Sequence, residues 1–410
     1  MLDKKIIQNA CFESEAEMTE FLDRLLRFES ISGYEGPAMS WLHDQFKDIA
    51  DICEKIPVPE DIVNDHEYSS KVDKQPYGDR PNVRVVLKGN GSGKSVIFNA
   101  HADVVPPTPK QEHPFDPYIK DGAIYGRGAC DDKGQIAALW TMMKVMKKLG
   151  IRPKGDIILH LVIEEEPGGN GTLALVRRGE IADFCIDLEP LSNTICPSVR
   201  GAIWFDGTCS GIAGHSGTAH VTVSALKMAI EVIRIIEEYH DELLAQTIND
   251  DPLYAPMKNP MPVNFGELHS GNWPTIAPEK ATFSGMFGFL TTPKETVMQE
   301  LVNRIKTRGP EWLDDNFQLT FPYRHDTSRI SPDLPFVKQV TECYKNMGIE
   351  RKLAGSITSM DAWLYTHFLG IPTLATGVGN LEDAHTIHEH VKLRDVVLEA
   401  AVLIMFILTL

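Results

Sequence analysis

The 410-residue sequence has no CxxC pair, no internal repeat and no low-complexity tract. Its seven cysteines (Cys11, Cys53, Cys130, Cys185, Cys196, Cys209 and Cys343) are odd in number and scattered, which excludes a disulfide framework and a zinc-finger pattern. The N-terminal stretch MLDKKIIQNACFESEAEM lacks the apolar core of a signal peptide, because charges interrupt its hydrophobic residues. Both absences favour a reducing cytoplasm. No apolar run reaches the roughly 20 residues of a membrane span; the C-terminal AAVLIMFILTL falls well short and reads as a buried last helix. Basic residues are also scarce. Forty Lys and Arg stand against 57 Asp and Glu, a formal charge of -17, so the surface field repels nucleic acid and anionic membrane and attracts cations. Neither nucleic acid nor a membrane is therefore expected as a partner. A GxxxxGK[ST] phosphate loop is missing too, which argues against nucleotide binding.

What is present is the composition of a folded protein, 43% hydrophobic and 24% charged, on a chain long enough for at least two domains. Met18, Phe21, Leu22, Leu25 and Leu26 recur at helical spacing in an opening helix over residues 15–28, and a second helix is expected over 37–49. VRVVLKG, SVIFNA, DIILHLVI and FCIDL read as strands, with helices at 135–146 and 172–178 between them. This alternation predicts an α/β domain with a central mixed sheet flanked by helices. From residue 200 the texture changes: the strand AIWFDGTCSG, a long helix over 221–244, a Pro- and Asn-rich connector, a strand at 280–289, a helix at 294–306 and the strand FQLTF. That order predicts an inserted α+β, ferredoxin-like domain over 200–322. Residues 1–199 and 323–410 then form the discontinuous main domain, completed by a helix at 334–346, the strand IPTLATG and a last helix from Leu393.

Five segments carry chemistry. His101 and Asp103 close the strand SVIFNA; residues i and i+2 of an extended chain face one side, so the pair can serve one centre, the carboxylate behind the imidazole. Gly126-Arg127-Gly128-Ala129-Cys130-Asp131-Asp132-Lys133-Gly134 precedes a helix, and its glycines permit a tight turn that aims Asp131 inward; the plain alternative is a helix cap with a solvated Asp132. Glu164, Glu165 and Glu166 end the strand DIILHLVI, where three carboxylates repel unless cations or protons compensate. Glu189-Pro190 closes FCIDL, and His385 follows IPTLATGVGN. Singly, each reads as an ordinary loop or hydrogen-bonded residue. Together they place imidazoles and carboxylates, without thiolate, at strand ends or in a glycine turn, which suits Zn, Mn or Co in an open catalytic site.

In this order and over nearly the whole chain, the HAD, GRGxxDxKG, EExxG, EP and AH segments resemble the M20 metallopeptidase family, which includes carboxypeptidase G2-like enzymes, acetylornithine deacetylase and succinyl-diaminopimelate desuccinylase. The resemblance implies two divalent ions, zinc foremost with Mn or Co as alternatives. His101 and Glu189 would hold one, Glu166 and His385 the other, and Asp131 would bridge them. Glu165 would be the general base and Asp103 would orient His101. The inserted segment would be a lid and dimerisation domain forming a homodimer or higher homo-oligomer, whose His215, in Gly214-His215-Ser216-Gly217, reaches a neighbouring subunit's site to contact the reacting carbonyl. The expected activity is hydrolysis of a C–N bond in a small molecule, by an N-acyl amino acid deacylase or a small-peptide carboxypeptidase or dipeptidase. A hydrolytic deaminase of an unusual, aromatic amine and a non-catalytic binding protein are the alternatives. The chain departs from the family where many relatives carry carboxylate-gripping arginines: Gly285–Phe289 has none, and Trp363 follows Asp361-Ala362. Thr275 also replaces the family's lid asparagine. Trp363 either offers an aromatic or bulky apolar substrate a surface, any carboxylate falling to Arg324 or Arg329, or is a core tryptophan, the carboxylate grip having merely moved.

Overall fold

The computed structural model describes residues 3–69 and 75–410. It divides into two compact units, one of Met1–Ser198, Ser328–Ala354 and Met360–Leu410, the other of Val199–Thr327 and Gly355–Ser359.

The larger unit is built on a mixed sheet whose strands lie in the order Ile52–Ile56, Asn82–Leu87, Ile157–Val162, Val96–His101, Phe184–Leu188, Thr373–Thr376, Thr194–Val199 and Ser328–Arg329. Its four middle strands, Ile157–Val162 through Thr373–Thr376, run parallel. Each is buried along nearly its whole length, which is why each reads as a continuous apolar run rather than an alternating one. Helices Lys4–Glu13, Glu15–Leu26, Lys133–Leu149 and Leu393–Thr409 pack against one another, and a second pair, Asn170–Arg177 and Ala362–Leu369, packs together beside the sheet. The apolar C-terminal run is inside this core, with Ala400 to Ile407 all buried. Among the described residues, no helix is long and apolar enough to cross a membrane. All seven cysteines are free.

The smaller unit carries an antiparallel sheet in the order Val263–Ser270, Lys280–Phe289, Gly201–Ser210, Phe317–His325, against which helices Ala225–Thr247 and Lys294–Arg308 pack. In chain order this is β-α-β-β-α-β. Its own core holds Phe205, Phe283, Phe287 and Phe289.

Candidate active site

Parallel strands all end on the same edge, so the four middle strands deliver their following residues to one place. His101 is the last residue of Val96–His101; Glu165 and Glu166 follow Ile157–Val162, Glu189 follows Phe184–Leu188, and His385 lies in the loop after Thr373–Thr376. Asp131 comes from the glycine turn before helix Lys133–Leu149. That turn requires glycine at 128, where φ is +88° and a Cβ would stand 2.7 Å from Val104 and 3.0 Å from Lys133.

These side chains meet. His101 Nε2 lies 2.9 Å from Asp131 Oδ1, and His385 Nε2 lies 3.2 Å from Asp131 Oδ2 and 3.1 Å from Glu166 Oε1. Ligand-type atoms of Asp131, Glu166 and His385 fall within 4.8 Å of one another, as do those of His101, Glu165 and Glu189. One carboxylate thus turns a different oxygen to each of two histidines. Such separations suit hydrogen bonds, and equally suit pairs of atoms sharing a cation about 2 Å from each.

The charges favour cations. Asp103, Asp131, Asp132, Glu165 and Glu189 are all at most 8% exposed, with the buried imidazole of His101 among them and the half-exposed one of His385 at their edge. Burial, then Asp361, Glu166 and Asp103, push the Glu165 carboxyl well above its usual range, and burial, Glu165 and Asp131 do the same to Glu189. Burial opposes a charged His385, yet Glu166 and Asp131 raise it to about 11; His101 is likewise raised by Asp103 and Asp131 against its burial. Asp131, held by both histidines, goes the other way and stays ionised despite burial. Asp132 Oδ1 is buried with no hydrogen-bond partner among the described residues. An oxygen- and imidazole-rich set, crowded with anions, fits a pair of divalent ions.

The surroundings of the other residues singled out in the sequence are as follows. Asp132 is not solvated: it is fully buried, and its Oδ2 accepts the His101 N–H at 3.1 Å. Glu164 needs no metal, because Arg80 (2.7 Å), Tyr77 (2.7 Å) and Asn170 (2.9 Å) hold its carboxylate at a positive φ of 54°. Asp103 meets His101 Nδ1 chiefly through its backbone carbonyl, at 3.0 Å against 3.5 Å for its carboxylate. The carboxylate also accepts from Ser32 Oγ (2.7 Å) and from the N–H groups of Glu165 (3.0 Å) and Glu166 (3.2 Å), so Asp103 ties His101 to the glutamate turn. Trp363 offers no substrate surface. It is 1% exposed and packs edge-on to His367 and Phe368 in the main core. His215 is exposed in the smaller unit, its Nδ1 accepting the Gly217 N–H at 3.1 Å. Arg324 is half-buried in its strand and Arg329 is exposed.

Two features escaped the sequence. Asp361 is fully buried, accepts from Thr172 Oγ1 at 2.5 Å and is driven to about 8 by burial and Asp187. Beneath the ligands runs a buried polar chain: Asn99 donates to Asp187 (2.9 Å), Tyr365 donates to Asn99 (2.9 Å) and lies 2.8 Å from His160, whose other nitrogen is 3.0 Å from Glu180. Asn99 and Asp187 each precede a candidate ligand by two residues, so their bond ties the strand of His101 to that of Glu189.

The model of the peptidase family M20/M25/M40 matches residues 97–409. The chain belongs to this family. An N-formyl-4-amino-5-aminomethyl-2-methylpyrimidine deformylase of Halalkalibacterium halodurans is 27% identical over 365 residues, 81% of this chain and 83% of the relative. Among solved structures, the dipeptidase Dug1p of Saccharomyces cerevisiae superposes with a TM-score of 0.78 at 13% identity, covering 99% of this chain and 98% of its own. The YXEP protein of Bacillus subtilis, described as a dinuclear metal-binding peptidase of the M20 family, gives 0.64 at 15% identity, covering 96% and 98%. This family member is thus a metal-dependent hydrolase acting on carbon–nitrogen bonds, with the α/β sheet fold of its structural neighbours.

Proposed function

We propose that the chain hydrolyses an amide bond in a small molecule, as an N-acyl amino acid deacylase or a small-peptide carboxypeptidase or dipeptidase does. His101, Asp131 and Glu189 hold one divalent ion in this reading, and Asp131, Glu166 and His385 a second; zinc is the expected ion, Mn or Co the alternatives. The observation that carries it is Asp131, whose two oxygens address two histidines from opposite ends of one carboxylate. Bound ions supply polarisation of the scissile carbonyl and a water of lowered pKa. Glu165 takes the water's proton and returns it to the leaving amine. Asp103 keeps the Glu165 backbone in place. His215, exposed in this chain, contacts the reacting carbonyl of a neighbouring subunit and stabilises its oxyanion, in a homodimer built through the smaller unit.

Two features bear on the substrate: Gly285–Phe289 has no arginine to grip a carboxylate, and one relative, named as the deformylase of an N-formyl aminomethylpyrimidine, supports an aromatic part. Should the substrate carry a carboxylate, Arg324 or Arg329 would grip it. Incubating the zinc-loaded protein with N-acyl amino acids, dipeptides and N-formyl heteroaromatic amines, with product identification, tests the reading. A carboxylic acid and an amine in equal amounts are expected. Ammonia without an acid co-product would replace amide hydrolysis by deamination, and tight binding without turnover would make the chain a binding protein.

A further inference from the structure

Glu389 belongs to neither set of candidate ligands, yet it is 1% exposed and everything it holds lies in the turn that presents Asp131. Its Oε1 accepts the N–H of Gly128 at 2.9 Å and of Asp131 at 3.3 Å, with Cys130 Sγ at 3.8 Å. Its other oxygen pairs with Arg127 Nη1, and its backbone carbonyl accepts the N–H of Gly126 at 3.1 Å. Buried N–H groups need partners, and three of the turn's depend on this one residue. Glu389 is itself anchored. It directly precedes strand His390–Lys392, which pairs with Ala123–Tyr125, and the His390–Tyr125 register puts Glu389 beside Gly126. Four residues before it stands His385, at a positive φ of 60°.

The Arg127–Glu389 pair is costly as a stabilising device. Arg127 is fully buried and its Nε and Nη2 have no hydrogen-bond partner among the described residues, and an apolar pair of similar volume commonly serves stability as well or better. What an apolar pair cannot do is accept the turn's N–H bonds. We propose that Glu389 is a positioning residue for the dinuclear site: one carboxylate clamps the Gly126–Asp131 turn to the segment that carries His385 and so fixes the span between Asp131 and His385. The inference rests on the two-metal reading and extends it to a residue that touches no ion.

The test is Zn²⁺ binding to metal-free protein, measured by competition with a chelator and independent of turnover. Wild type is expected to bind two equivalents; if it binds none, the two-metal reading itself fails. Glu389→Gln keeps one acceptor oxygen but must share it between Arg127 and the turn, so binding of one equivalent is expected to weaken roughly 10- to 100-fold. In the double variant R127Q/E389Q the new amide at position 389 can donate to the one at position 127 and return its oxygen to the turn, so affinity is expected to recover. Wild-type affinity for both ions in E389Q, whatever its melting temperature, would reduce Glu389 to a purely structural residue and overturn the proposal. If E389Q does not fold, E389D decides in its place: it keeps the charge but shortens the arm by one methylene, and unchanged affinity at both sites would again overturn it.

Discussion

Glu164, Glu165 and Glu166 occupy adjacent positions but different surroundings, and single substitutions should separate them. Glu165→Gln is expected to keep metal and fold while lowering turnover by roughly two to four orders of magnitude, the usual contribution of a positioned acid–base group. Glu166→Gln should weaken metal binding instead, read by chelator competition. Glu164→Gln removes one of the two buried carboxylates on Arg80, Glu35 at 2.8 Å remaining, and should destabilise by about 2 kcal/mol while the protein that remains folded keeps its turnover per bound metal. Wild-type turnover in Glu165→Gln would move the base elsewhere. The sequence announces three acids at a strand end but cannot sort them, because Arg80 and Asp103, which hold the first and turn the other two, are remote in the chain. Trp363 shows the same limit: a large aromatic after Asp361-Ala362 reads as a pocket wall, whereas helix Ala362–Leu369 turns it into the core. Trp363→Ala is therefore expected to cost about 3–5 kcal/mol in urea denaturation and leave the ratio of kcat/KM for aromatic over aliphatic amides unchanged. A shift in that ratio would restore Trp363 to the substrate.

At the level of elements, the four parallel strands are legible because burial on both faces makes each a short apolar run ending in polar residues. Edge strands are not. Ile52–Ile56 exposes Glu54 and Lys55, and Val263–Ser270 is exposed along most of its length, so neither carries a hydrophobic signal. The polar chain under the site is equally silent, since Asn99, His160, Glu180 and Tyr365 become neighbours only through strand pairing and helix packing. Its outer end predicts a pH dependence. Burial alone would raise Glu180, but hydrogen bonds from Arg84 and His160 lower it from 4.5 to about 2. A depressed carboxyl contributes stability that is fully present above its unfolded value and is lost as pH falls through the folded one. With Glu180 about one-fifth exposed, the contribution should be about 2 kcal/mol after screening. Urea melts of Glu180→Gln against wild type should show that deficit at pH 7 and a clearly smaller one at pH 3. An equal deficit at both would mean the carboxylate's charge is not what Arg84 and His160 recognise.

For the whole molecule, the separate cores of the two units make metal removal a local perturbation with a measurable reach. Every candidate ligand lies in the larger unit, at strand ends and in two loops that crowd more carboxylates together than their two imidazoles can neutralise. Chelation should therefore abolish activity and loosen those segments first, because repulsion among buried anions is then relieved only by protons or by opening. Free ion at about 100 times its dissociation constant adds about 2.7 kcal/mol to a state that binds it alone, or about 5 °C or more in melting temperature for a unit of this size. Elemental analysis should find up to two divalent ions per chain. Hydrogen exchange should show protection on adding Zn²⁺ within residues 99–103, 126–134, 163–170, 186–190 and 377–389, with strand Gly201–Ser210 of the smaller unit, which carries no ligand, as the internal control. One tight ion and one weak ion would leave the scheme standing with a labile second site. Full turnover in chelated, metal-free protein would overturn it, since no ion would then be left to polarise the carbonyl or activate the water.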